Sequence, residues 1–139
     1  MSYYLYHFTD YRNLKSIRRH GLMSWPRLHK KKIPHYPASN KLSRDLDRQK
    51  GLQDYVRLCK SPDHPMAYIA KKEGRISNYA WLRIDLSAVQ LALTKYSNEN
   101  ATKNGAVVNA NLSTFLESQD RQAEVLVFKK LPSNLIIFP

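Results

Sequence analysis

The run Arg121-Gln122-Ala123-Glu124-Val125-Leu126-Val127-Phe128 sets a carboxylate at the mouth of an apolar, β-branched stretch, a pattern that reads as a strand. Its apolar half suits the interior of a sheet. Glu124 then falls at the strand end, where a strand meets a cleft, and an acidic side chain costs free energy there unless a cation or a ligand satisfies it. Most strand-end glutamates simply point to solvent. Whether this one does chemistry depends on the company it keeps elsewhere in the chain.

The chain is long enough for one domain spanning 1–139, and 42% hydrophobic residues suffice for one modest core without metals or disulfide staples. Its 23 Lys and Arg against 11 Asp and Glu give a formal charge of +12, a field that gathers polyanions and makes nucleic acid the first partner to consider. Cys59 is the single cysteine, which excludes an internal disulfide and a cysteine-rich zinc site and fits a reducing compartment. No apolar run approaches the roughly 18 residues of a membrane span. Met1-Ser2-Tyr3-Tyr4 lacks the layout of a signal peptide, so the expectation is a soluble, cytoplasmic protein without membrane association.

Residues 3–8 alternate as a strand, with Tyr4, Tyr6 and Phe8 on one face and Leu5 and His7 on the other. Thr9 or Asp10 can cap a helix carrying Tyr11, Leu14 and Ile17, and Gly21 supplies its left-handed stop. Residues 25–40, with three prolines and His29-Lys30-Lys31-Lys32, predict an irregular basic loop suited to phosphate contact. Ser43 can cap a short helix through Arg44, Leu46 and Arg48, closed by Gly51. Residues 54–59 read as a strand, 61–65 as a turn, and 66–70 as a short strand or the first turn of a helix. Residues 79–86 form a half-buried strand, and 87–93 a short turn followed by another strand. The amide-rich residues 96–105 mark a loop, Thr114 and Glu117 form a weak capping box, and residues 135–138 give a last strand. The sum is an α+β domain: a few short helices on an antiparallel or split sheet of short strands.

Gly21, Gly51, Gly74 and Gly105 are the only glycines, which excludes the dinucleotide-binding G-x-G-x-x-G and the phosphate-binding P-loop. The five histidines lack metalloprotease spacing, and no metal site is expected. Cys59 with His64 is a conceivable nucleophile and base, but a lone cysteine in an apolar strand is usually core. What remains is a sparse set at predicted strand ends: His7, Thr9, Arg44, Tyr55, Tyr68 and Glu124. Each has a bland explanation alone. Together they suit stabilisation of a cation-like sugar, with a carboxylate for a ribose hydroxyl, an arginine for phosphate and an aromatic face for a flat ring.

Leu5-Tyr6-His7-Phe8-Thr9, followed by a helix ending in His20-Gly21-Leu22, resembles the opening motif of the DarT-type ADP-ribosyltransferases, and its His-x-Thr core is similar to that of the poly-ADP-ribose polymerases. Ser43-Arg44 through Gly51-Leu52-Gln53-Asp54-Tyr55-Val56 resembles the family's arginine segment. Ser61-Pro62-Asp63-His64-Pro65-Met66 resembles its proline turn, and Gln122-Ala123-Glu124-Val125-Leu126-Val127 its catalytic-glutamate strand. The chain is short for the family, and the interval from Arg44 to Tyr55 is compact, so Arg48 and Arg57 compete with Arg44 for the arginine role.

The resemblance implies a split antiparallel sheet that binds NAD+ as co-substrate, cleaves its nicotinamide glycosidic bond and transfers ADP-ribose to a nucleic-acid base. Single-stranded DNA is the preferred acceptor and RNA the close second. Glu124 and Arg44 would be catalytic. His7, Thr9, Tyr55 and Tyr68 would bind NAD+, while Lys30, Lys31, Lys32 and Arg48 hold the strand. The family also implies a toxin or phage-defence role, with a macrodomain-type antitoxin as possible partner. The rival reading from another class is a non-catalytic basic nucleic-acid-binding domain, which explains charge and aromatics but leaves the His7, Arg44 and Glu124 combination without a role.

Overall fold

The computed structural model describes residues 4–39, 41–62 and 65–139. Tyr3, Asn40, Asp63 and His64 lie outside them, and with them the suggested Cys59–His64 pairing and part of the 61–65 turn. Nine strands are present among the described residues: β1 (Tyr4–Asp10), β2 (Leu22–Met23), β3 (Tyr55–Cys59), β4 (Tyr79–Asp85), β5 (Lys95–Ser97), β6 (Val108–Asn109), β7 (Glu124–Phe128), β8 (Lys130–Leu131) and β9 (Ile136–Ile137). The helices are α1 (Leu14–His20), α2 (Trp25–Lys30), α3 (Lys41–Lys50), α4 (Pro65–Lys72) and α5 (Leu112–Leu116). Seven strands form one antiparallel sheet in the order β6-β5-β7-β3-β1-β4-β9, and β2 pairs with β8 apart from it.

Strand alternation explains the core. Leu5 of β1, Val56 and Leu58 of β3, Leu82 and Ile84 of β4, and Val125 and Val127 of β7 turn to one face, where Ile17 of α1, Leu22, Leu131 and Ile136 complete a buried cluster. Leu126 turns the other way and packs with Leu52 and Ala101 in a smaller one.

Register positions the site. β1 pairs with β4 along its length, from Tyr4 opposite Asp85 to Asp10 opposite Tyr79, and β3 pairs with β7 from Tyr55 opposite Phe128 to Cys59 opposite Glu124. Between β1 and β3 the register holds at Tyr6 opposite Cys59 alone. The two halves of the sheet part beyond that point, which is the split expected from the sequence, and a cleft opens between strands whose polar ends would otherwise be zipped together.

Several local expectations change. Residues 25–30 form a helix rather than loop: Pro26 stands in its first turn, where a missing N–H is harmless, and Arg27, His29 and Lys30 complement the dipole at its end. α3 starts before Ser43, so Ser43 lies within the helix instead of capping it. For residues 66–70 the helical alternative holds over the strand, since 65–72 form a helix with Ala67 and Ala70 buried at helical spacing. Residues 86–90 are a 3-10 turn and the next strand begins at Lys95, so the polar loop starts only after Ser97. Thr114 falls inside α5 and donates to Asn109 Oδ1 at 2.9 Å, which leaves the Thr114–Glu117 capping box unformed.

Gly21 stops α1 with φ +77°, and a Cβ there would overlap the Leu131 carbonyl oxygen of the β2–β8 pair. Gly21→Ala therefore meets both left-handed strain and backbone it cannot displace, and should cost on the order of 1–3 kcal/mol or more. Urea titration checks it; a variant within a few tenths of a kcal/mol of wild type would contradict the close approach.

Asp10 does cap the turn that follows β1. Its fully buried carboxylate accepts from Arg12 N–H at 2.8 Å, Arg12 Nε at 3.0 Å, Arg12 Nη2 at 2.8 Å and Ser77 N–H at 3.0 Å. The Arg12 side chain above all, with these backbone donors, pulls its pKa from 3.8 down to about 2 against the effect of burial. The unfolded chain thus takes up this proton first. The stabilisation is complete above pH about 4 and is lost as pH falls toward about 2. Asp10→Asn should flatten the acid dependence of the thermal midpoint across that window, and an unchanged slope would place its source elsewhere.

Candidate active site

The cleft between β1 and β3 encloses a cavity of about 640 Å³. Its wall includes His7 and Thr9 from β1, Tyr55 and Arg57 from β3, and Glu124 from β7. Glu124 is the first residue of β7 and only 8% exposed, so the strand-end carboxylate does not point to solvent. Its Oε1 accepts from Arg57 Nη2 at 2.8 Å and from the Ala101 N–H at 2.9 Å. Its Oε2 has no hydrogen-bond partner among the described residues, so one oxygen is fixed and the other is left to the cavity.

Arg57 organises the floor. Nη1 donates to Asp47 Oδ1 of α3 at 2.9 Å and to Thr102 Oγ1 at 2.7 Å, while Nη2 also reaches Asn100 Oδ1 at 3.1 Å. Thr102 Oγ1 donates to Asp47 Oδ1 at 3.0 Å, and Asn100 Oδ1 also accepts from the Thr102 N–H at 3.0 Å. Burial works against the guanidinium's charge, but the Glu124 and Asp47 carboxylates overcome it and hold its pKa above the ordinary value. Lys50 Nζ, on α3, ties the same loop by donating to the Ala101 carbonyl at 2.9 Å and to the Lys103 carbonyl.

His7 Nδ1 lies 2.9 Å from the Arg57 carbonyl, across the gap where the strands part. A carbonyl can only accept, so Nδ1 carries the proton and Nε2 remains an acceptor. Burial pushes the imidazole pKa below its ordinary value, against that bond and the charge of Glu124, both of which favour the protonated ring. Thr9, 7% exposed, accepts from Asn13 Nδ2 at 3.0 Å.

The residues singled out from sequence are thus divided. His7, Thr9, Tyr55 and Glu124 share the cavity wall, and Tyr55 also packs on Phe128 with ring centroids 5.3 Å apart. Arg44 does not line the cavity: it stands at its rim, where Nη1 donates to the carbonyl and Oγ of the lining residue Ser39 at 3.1 and 3.3 Å. The guanidinium on the floor is that of Arg57. Tyr68 is 62% exposed on α4 and is not part of the wall. Lys30, Lys31 and Lys32 are exposed at and beyond the end of α2, and Arg48 is exposed with its guanidinium 4.6 Å from the Trp25 ring centroid.

Asp47, Asn100 and Thr102 escaped the sequence reading. The signal for the last two was present, since Asn100 and Thr102 flank Ala101 in the amide-rich loop, and short polar side chains of this kind fix their own backbone. Nothing local marks Asp47, one of two aspartates among the basic residues of α3.

A family model described as DarT, ssDNA thymidine ADP-ribosyltransferase, matches residues 6–137. Comparison with curated protein sequences finds no match. Among solved structures, that of Thermosipho africanus DarTG in complex with ADP-ribose superposes with TM-score 0.80 at 17% identity, over 97% of this chain and 43% of that one, so this chain spans less than half of that relative. Thermus sp. 2.9 DarT in complex with ADP-ribosylated ssDNA gives TM-score 0.75 at 21% identity, over 96% of this chain and 78% of that one. The same protein in complex with NAD+ gives TM-score 0.69 at 22% identity, over 96% and 79%. These likenesses are of fold: a small split antiparallel sheet with short helices. With the family model spanning nearly every residue from β1 to β9, the chain belongs to the DarT family of ADP-ribosyltransferases.

Proposed function

We propose that this chain is an NAD+-dependent ADP-ribosyltransferase that modifies a base, thymidine by the family description, in single-stranded DNA. The observation that supports it most is Glu124, held through one oxygen by Arg57 and the Ala101 N–H, with its second oxygen left to the cleft that His7 and Thr9 share. A cavity of about 640 Å³ is of the size that takes a cofactor-sized ligand. The Nε2 acceptor of His7, the Thr9 hydroxyl and the Tyr55 ring supply contacts for ribose hydroxyls and a flat ring.

Bond breaking between nicotinamide nitrogen and ribose C1′ sends the electron pair out with nicotinamide and leaves positive charge on the sugar. A carboxylate fixed before the reaction begins favours that charge more than it favours intact NAD+, which is the condition for raising the rate rather than the affinity. The base then attacks C1′, and Glu124 Oε2 accepts the proton the base loses. In this reading Arg57 aims Glu124, and Arg44 at the rim meets phosphate. The basic residues Lys30, Lys31, Lys32 and Arg48 draw in the strand by neutralising its backbone. No helix among the described residues is long and apolar enough to cross a membrane. A toxin role countered by a macrodomain-type antitoxin belongs to the same proposal.

The test is reaction with NAD+ and separate DNA, RNA and protein pools, followed by mass spectrometry of recovered nucleosides. An ADP-ribose adduct on thymidine from single-stranded DNA is the expected result. Adducts on RNA alone would move the acceptor. Salt-sensitive DNA binding with no adduct in any pool would favour the non-catalytic binding domain.

A further inference from the structure

Asp47 is the only buried side chain of α3, and Leu42 near the start of that helix is 65% exposed. A surface helix ordinarily docks by burying an apolar stripe. This one is tied down by polar bonds from Asp47 and Lys50, which stand at i and i+3 and so share a face. Lys50 ends the helix, where a lysine ordinarily serves the dipole or the last carbonyls of its own helix. Its Nζ reaches instead to the loop after β5, donating to the Ala101 carbonyl at 2.9 Å and to the Lys103 carbonyl.

Ala101 is where that grip acts. The residue is fully buried, its N–H donates to Glu124 Oε1 at 2.9 Å, and its carbonyl accepts from Lys50. Packing with Leu52 and Leu126 fixes where its side chain lies. That packing leaves the directions of the flanking peptides to two soft dihedrals, and the Lys50 bond sets them. The other donor to Oε1 has the same support, since Asp47 Oδ1 accepts from Arg57 Nη1 at 2.9 Å and from Thr102 Oγ1 at 3.0 Å. Both groups that hold the fixed oxygen of Glu124 are therefore braced by α3. Asp47 lines the cavity, and Lys50 stands outside it.

Given the role proposed above for Glu124, we infer that Lys50 is a positioning residue for ADP-ribose transfer, holding the Ala101 peptide so that its N–H stays aimed at the carboxylate. A carboxylate stabilises developing charge best when its orientation is set before the reaction begins, and a misplacement of about 1 Å caused from outside the chemistry can cost about a hundredfold. Lys50 also belongs to the exposed cations whose charge draws in DNA. The two roles differ in kinetics: a phosphate contact acts on affinity for the strand, a brace on Glu124 on the rate of the chemical step.

Single-turnover transfer to a short thymidine-containing single strand at saturating NAD+ tests this on wild type, Lys50→Met, Lys50→Arg, Glu124→Gln and the Glu124→Gln/Lys50→Met double variant. Lys50→Met keeps an unbranched apolar stem and removes the donors. It should slow transfer about tenfold to a hundredfold, with the apparent affinities for NAD+ and for the strand near those of wild type. Lys50→Arg should recover most of the rate, because a guanidinium can serve two carbonyls. In the Glu124→Gln background the Lys50 substitution should cost less than about twofold, since the brace has no carboxylate left to aim. Equal losses in the two backgrounds would overturn the assignment, and so would a loss of strand affinity alone or Lys50→Met reacting as wild type does. Wild type that forms no adduct would defeat the activity proposal, and Glu124→Gln reacting as wild type does would defeat the role of Glu124; both failures show before Lys50 is changed.

Discussion

Glu124→Gln is expected to lower NAD+-dependent transfer on the order of a hundredfold to a thousandfold while changing NAD+ affinity little, because removing a preorganised group aimed at developing charge acts on the transition state. The amide keeps the size of the carboxylate and one carbonyl oxygen able to accept from Arg57 and the Ala101 N–H, so packing around β7 survives. What it loses is the negative charge beside the electron-poor ribose. Single-turnover rates with saturating NAD+ separate the chemical step from binding. A thermal midpoint near that of wild type would show that the fold is intact. Transfer within about tenfold of wild type would remove Glu124 from the reaction.

Arg57→Ala should act first on stability. Its guanidinium bridges Glu124 and Asp47, and removal leaves two carboxylates in a largely buried pocket with no cation between them. Breaking a buried pair by deleting one partner typically costs about 3–5 kcal/mol, a large share of the roughly 5–15 kcal/mol that holds a domain together. Asn100 and Thr102 lose a donor at the same time, so the loop that presents the Ala101 N–H to Glu124 should loosen. Arg57→Lys should restore only part of the loss, since an ammonium cannot reach four acceptors with the planar fork that Arg57 uses. Urea unfolding of the three proteins gives the order; a loss below about 1 kcal/mol for Arg57→Ala would show that the network does not bear on folding.

The sequence made the longer strands legible by two signals. β1 and β4 coincide closely with the stretches read from alternation, and β7 with the apolar, β-branched run after Glu124, whose Val125, Leu126 and Val127 are all buried. Helices were less legible. α2 opens with Trp25-Pro26 and carries no buried residue, so nothing in its pattern distinguishes it from loop until Trp25 and Leu28 meet the cavity. Short strands such as β5 offer too few residues for a period to show.

The chain's local chemistry determined by itself that Glu124 would sit at a strand mouth and that Gly21 would end a helix. It also set His7 on the face of β1 that carries Leu5, because each of these follows from alternation, burial or backbone freedom within a few residues. Which arginine meets Glu124 could not be settled that way. Arg44, Arg48 and Arg57 are equivalent as sequence, and only the pairing of β3 with β7 lays Arg57 beside the glutamate strand while α3 turns Arg44 toward the rim. Asp47 and Lys50 take their meanings from residues ten and fifty-one positions away. Tertiary structure decided the site because a buried charge network is closed by contacts between elements, and those contacts leave no period or spacing in the chain.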